Sequence, residues 1–124
     1  MIVSIEHNRI YAVLRFQGVV THDEIVEARR EIIDHSDYKL RKYHVWIFDN
    51  VTEMRIGTDQ MKVLRTEDAT NSAVNPNLRV ALVGNTDIGF GTLRMYESYV
   101  STIWRHVGVF RDEETAFQWA KMGS

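Results

Sequence analysis

No cysteine occurs among the 124 residues, which excludes disulfides, thiol catalysis and cysteine-ligated metals. One proline and seven glycines are too few for a flexible linker, and no repeat or low-complexity run is present. A single domain over residues 1–124 is therefore expected. No apolar run reaches the roughly 18 residues that span a bilayer. The stretch Met1-Ile2-Val3-Ser4-Ile5-Glu6-His7 lacks a basic segment followed by an apolar one, so the expectation is a cytoplasmic protein. Charge of neither sign is in excess: 15 Lys and Arg against 17 Asp and Glu leave −2. That balance gives no bulk attraction to nucleic acid or anionic membrane. Lys39, Arg41 and Lys42 beside Tyr38 and Tyr43 read as solvated loop charge. The histidines (His7, His22, His35, His44, His106) are scattered, and none makes a helical pair with a carboxylate, so no metal is expected. Ser4, Ser36, Ser72, Ser98 and Ser101 lack the setting of an activated nucleophile. No acid–base constellation stands out, so neither an enzyme nor a cofactor is expected. The terminal Gly123-Ser124 pair carries no weight in the reading.

What is present is an alternation of short apolar runs with helical patterns. Ile2 to Ile5 and Ile10 to Phe16 flank the polar turn His7-Asn8-Arg9 and read as a hairpin, with Gly18 ending its second strand. Thr21-His22-Asp23-Glu24 is a capping box, with Val20 and Ile25 at the staple positions. Ile25, Ala28, Ile32 and Ile33 then repeat at helical spacing, giving a first helix from about residue 22 to about residue 35. His44 to Phe48 reads as a strand buried on both faces. A second helix begins at Thr58 with a thin apolar face of Met61 and Leu64, to which Val63 is a further candidate. Leu78 to Val83 is a strand, and Asp87 caps a third helix facing inward through Leu93, Tyr96, Val100 and Ile103 or Trp104. Val107 to Phe110 is the last strand, and Asp112 caps a final helix. The order ββαβαβαβα predicts an α/β fold. Its mixed five-stranded sheet has an antiparallel N-terminal hairpin, a mainly parallel remainder and four helices.

That order and several stretches resemble the STAS domains of anti-sigma-factor antagonists. The SpoIIAA-like branch, related in fold to the lipid-carrying SEC14 domain, is the nearer likeness. The resemblance rests on Arg15-Phe16-Gln17-Gly18-Val19-Val20-Thr21, on Asp49 with Val51-Thr52, and on Leu78-Arg79-Val80-Ala81-Leu82-Val83. It continues through Gly89-Phe90-Gly91-Thr92-Leu93-Arg94-Met95-Tyr96-Glu97 and Val109-Phe110-Arg111-Asp112-Glu113-Glu114-Thr115-Ala116. It implies a non-enzymatic regulatory or protein-interaction module. The alternative it implies is binding or sensing of a small apolar or lipid-like ligand. Phosphorylated members carry an acceptor serine in an Asp-Ser-Ser-Gly-like run between strand and helix. Aligning on Asp49 and Val51 sets Arg55, Ile56, Gly57 and Thr58 there, with no serine. Thr58 has the only hydroxyl, and an N-cap role accounts for it. The serine switch is expected to be absent.

The candidate binding residues follow from parallel-strand geometry, which gathers the loops after the strands on one edge. Asp49, Asn50, Asn85 and Asp87 belong there, with the helix start at Thr58. The third helix carries apolar residues around much of its circumference, among them Phe90, Met95, Tyr96 and Tyr99. Such a helix is core, a pocket wall or a contact between subunits, and a homodimer through Met95 or Tyr99 is expected. Gly89 and Gly91 suggest a close backbone approach there. Arg94 has three readings: a surface pair with Glu97, a buried pair with Asp49, or a site for an external anion, with the Asp49 pair favoured over the anion site.

Overall fold

The computed structural model describes residues 1–123, and Ser124 lies outside them. The strands are β1 (Ile2–His7), β2 (Tyr11–Thr21), β3 (Tyr43–Arg55), β4 (Arg79–Gly84) and β5 (His106–Phe110). The α-helices are α1 (His22–Asp34), α2 (Thr58–Val74), α3 (Asp87–Val100) and α4 (Glu113–Lys121), and a 3-10 turn occupies Tyr38–Leu40. The sheet runs in chain order, β1-β2-β3-β4-β5. Its first pair is antiparallel and the rest are parallel, as the alternation of elements predicts.

This order fixes where the helices go. Each parallel crossover steps the same way across the sheet, and right-handed crossovers then place α1, α2 and α3 on a common face. The last helix, α4, closes the other face. Successive residues of β3 therefore serve two cores. Trp46 and Phe48 pack with α1 and α3 residues such as Ile32 and Leu93. Tyr43, Val45 and Ile47 pack with Ala81, Val83, Ala116 and Ala120 beneath α4.

The helix starts show both the strength and the limit of local signals. At α1 the capping box forms as expected: the Glu24 N–H donates to Thr21 Oγ1 (3.3 Å) and the Thr21 N–H to Glu24 Oε2 (3.1 Å). Asp112 caps α4, accepting from the Thr115 N–H at 2.8 Å. Two expected caps are displaced by one residue. The N-cap of α3 is Thr86, which accepts from the Gly89 N–H (3.1 Å) while its hydroxyl donates to the Val51 carbonyl (2.7 Å). Asp87 is thereby the first helical residue. The N-cap of α2 is Gly57, whose carbonyl already accepts from the Met61 N–H (3.1 Å) and whose own N–H donates to Gln60 Oε1 (2.8 Å). Thr58 is inside the helix and is not its cap.

Two strands run further than their sequence suggests. Gly18 does not end β2 but kinks it, with φ +64°. Beside it Asn50 has φ 51°, a conformation asparagine tolerates better than other side-chain-bearing residues. The pairing slips there, from Gln17↔Asp49 to Gly18↔Val51 and Val19↔Glu53. Such bulges bend and twist a ladder without ending it. β3 thus continues to Arg55, well past its last partner in β4 at Phe48↔Gly84.

Candidate functional site

The first site is built at the bulge of β3, beside the carboxyl ends of β4 and β5. Asn85, just after β4, is the hub: its Oδ1 accepts from the Asn50 N–H (2.8 Å), and its Nδ2 donates to Asp49 Oδ1 (2.8 Å) and Asn50 Oδ1 (3.3 Å). The bulge at Asn50 exposes a backbone donor that a regular strand would spend in the ladder, and the amide of Asn85 takes it. Arg111, after β5, donates from Nη1 to Asp87 Oδ1 (2.8 Å) and lies 4.0 Å over the Phe90 ring. The result is a polar rim with one aromatic, held by side chains from the β3 bulge, the first turn of α3 and the loops after β4 and β5.

Backbone packing supports the rim from beneath. A Cβ on Gly84 would come within 2.7 Å of the Phe90 amide nitrogen, so α3 starts directly against the end of β4. A Cβ on Gly89 would lie 3.1 Å from the Thr86 hydroxyl oxygen and in ordinary contact with the Gly84 Cα at 3.8 Å, so the tight neighbour there is the capping side chain. Around Gly91 the space is open, so no packing constraint accounts for that glycine.

The sequence-predicted residues separate into groups. Asp49, Asn50, Asn85, Asp87 and Phe90 converge on the rim. Thr58 stands apart, exposed at the start of α2 beyond the extension of β3. Arg94 is solvent-facing, with 61% of its side chain exposed and Glu97 3.6 Å away. Asp49 is taken by Asn85, so the expected buried pair between Arg94 and Asp49 does not form. Position explains this: Arg94 directly follows the buried Leu93 on α3, so the helix turns it outward. Met95 is 47% exposed, whereas Tyr99 is half-buried against the core and its carbonyl accepts from Arg65 Nε (2.9 Å).

Tyr96 belongs to a second site, a cavity of about 70 Å³ between the sheet and α1, α2 and α3. Its walls are mainly apolar, including Ile25, Phe48, Met61 and Leu93. A buried polar clamp crosses them. Arg29 of α1 pairs with Asp68 of α2 and also donates to the Leu64 carbonyl (3.0 Å), while the Tyr96 hydroxyl of α3 donates to the other Asp68 oxygen. Glu67 stands 3.6 Å from the same guanidinium. Burial raises the pKa of Tyr96, with the charge of Arg29 opposing.

Two further polar groups line the cavity without a partner. His44 is 2% exposed and Trp104 4%, and neither the His44 Nε2 nor the Trp104 Nε1 makes a hydrogen bond. The Trp104 indole lies toward the Tyr96 hydroxyl but outside hydrogen-bond geometry. Burial, together with the nearby Arg41 charge and His7, lowers the His44 pKa to about 3, so the ring is neutral. An unpaired buried polar group costs about 1–3 kcal/mol.

The clamp is what sequence reasoning missed. Arg29 follows Ile25 by four residues and precedes Ile32 by three, so it lies on the apolar stripe. Asp68 bears the same relation to Leu64. Opposite charges on the inward faces of two neighbouring helices were the available signal.

No protein-family model matches the chain, and no curated protein matches its sequence. Solved structures do. Unphosphorylated SpoIIAA, an anti-sigma factor antagonist, superposes with a TM-score of 0.60 at 14% identity, covering 98% of each chain. The phosphorylated form of the Bacillus cell fate determinant SpoIIAA gives 0.59 at 18% identity, covering 93% of this chain and 96% of the other. The fold is that of SpoIIAA. The match to SpoIIAA spans both sites, the rim at the strand ends and the three-helix face that encloses the cavity. Among the described residues no helix is long and apolar enough to cross a membrane, and no three His, Asp or Glu converge as metal ligands.

Proposed function

We propose that the protein is a non-enzymatic cytoplasmic regulatory module that binds a protein partner through the rim and α3, without a serine phospho-switch. The observation that carries this is the rim itself. Asn85 locks the left-handed Asn50 and the Asp49 carboxylate in place, beside a Phe90 face covered by Arg111. Prefixed polar groups around an aromatic suit protein recognition, because little ordering entropy is lost on binding. The SpoIIAA fold, whose namesake is an anti-sigma factor antagonist, points the same way. The test is quantitative affinity capture from extract of the host, comparing wild type with Asn85→Ala and Phe90→Ala. A partner retained by wild type and depleted by both variants supports the reading. Equal recovery on all three overturns it. α3 also carries the proposed homodimer contact, through the exposed Met95 and its neighbour Ile88, one heptad apart on the same helix.

A second reading is favoured by the cavity: binding of a small apolar ligand between the sheet and α1, α2 and α3. A cavity of about 70 Å³ with mainly apolar walls is unusual in an interior packed as densely as an organic crystal.

A further inference from the structure

We infer that this cavity selects an uncharged apolar molecule bearing one hydrogen-bonding oxygen, such as an alcohol or ketone, held by His44 and the Trp104 indole N–H. The inference rests on the second reading above and adds the chemical class of the ligand. Three observations carry it.

The first is the state of the charges. The only guanidinium in the wall, Arg29, is engaged by Asp68, the Leu64 carbonyl and Glu67. A carboxylate or phosphate entering the cavity would find no free cation and would face the Asp68 carboxylate. Burying an unpaired anion in apolar surroundings is strongly unfavourable. Charged headgroups are therefore rejected.

The second is the pair of unpartnered polar atoms. The Trp104 N–H only donates, and a neutral imidazole offers one donor and one acceptor. Both residues are more than nine-tenths buried, and both line the cavity. A hydroxyl or carbonyl oxygen satisfies such a set, whereas a pure hydrocarbon leaves it unmet.

The third is size. About 70 Å³ is less than half of the ~150 Å³ that accepts benzene in an engineered apolar cavity. A short chain fits, with any longer tail leaving past the half-buried Met54, Ile56 and Thr92.

The test titrates ¹⁵N-labelled protein with 1-hexanol, hexanoate and hexyl phosphate at neutral pH, following the Trp104 indole resonance, assigned by its loss in Trp104→Phe. 1-Hexanol is expected to shift that resonance saturably and to bind at least tenfold more tightly than either anion. Followed through the backbone amides that line the cavity, which both variants retain, Trp104→Phe and His44→Leu should each weaken hexanol severalfold while amide spectra remote from the cavity stay unchanged. Hexanoate binding as tightly as hexanol overturns the inference but leaves the cavity reading standing. Absence of binding by all three probes overturns both. Unchanged hexanol affinity in the two variants overturns the assigned donors. If a variant fails to fold, the hexanol-to-hexanoate ratio in wild type still decides.

Discussion

At the scale of single residues, placement relative to the inward stripe decides how much a charge matters. Arg94 is exposed and pairs loosely with Glu97 at 3.6 Å, and surface pairs of this kind contribute little. Arg94→Ala and Arg94→Lys are each expected to change unfolding free energy by less than about 0.5 kcal/mol in urea melts. His44 is the opposite case. The groups around it are Arg41, His7 and the Tyr38 ring at 5.7 Å, and none stabilises an imidazolium. The unfolded chain takes up this proton near pH ~6.5, whereas the folded chain resists it down to about 3. Acid therefore favours the unfolded form across that window, and stability falls as pH drops, by about 1.4 kcal/mol per unit. His44→Leu lacks this proton. Relative to wild type it should gain about 2 kcal/mol between pH 6.5 and 5, read from denaturant melts at both pH values. A parallel pH dependence in the two proteins would refute the neutral, buried state.

At the scale of elements, α2 is the exception among the three helices on its face. Its buried residues are Met61, Leu64 and Asp68, a short inward set for a helix of 17 residues. Polar links hold it instead: Arg29 and Tyr96 to Asp68, Arg65 to the Tyr99 carbonyl, and the Tyr38 hydroxyl to the Asn71 carbonyl at 2.8 Å. A buried ion pair adds little net stability compared with apolar residues, but breaking one side is costly. Asp68→Ala is thus expected to cost about 3–5 kcal/mol, because Arg29 remains charged and buried. The double variant Arg29→Met with Asp68→Leu should recover most of that loss. Chemical denaturation of Arg29→Met, Asp68→Leu and the double variant gives the coupling, and additivity of the single effects would refute the clamp.

At the scale of the molecule, three crossovers with one hand load one face of the sheet and leave the other to α4 alone. The outward side of α3 then becomes a surface, on which Ile88 and Met95 are 53% and 47% exposed. A homodimer at micromolar concentration is expected through that side, with the same residues on both subunits. Sedimentation equilibrium should report twice the 14.5 kDa chain mass, with Met95→Glu shifting the population toward monomer. A monomer at high concentration for wild type would sink the idea.

The sequence by itself determined the order of elements, the parallel core of the sheet and the capping box of α1, because these follow from periodicities and contacts within a few residues. Strand direction also suggested that Asp49, Asn50, Asn85 and Asp87 share one edge, although Asp49 and Asn50 lie within β3 at its bulge and not in a loop after it. Only the tertiary structure decided that Thr86 and Gly57 are the caps in place of Asp87 and Thr58. The chain direction entering each helix, through the Thr86 hydroxyl on Val51 and the run of β3 to Arg55, selects the first helical hydrogen bond. The same holds for the bulge at Gly18 and Asn50, which depends on two strands slipping past each other. It holds most strongly for the cavity. Arg29, His44, Asp68, Tyr96 and Trp104 lie on five different segments. No local pattern links them, and their meeting is set by how three helices cross one sheet.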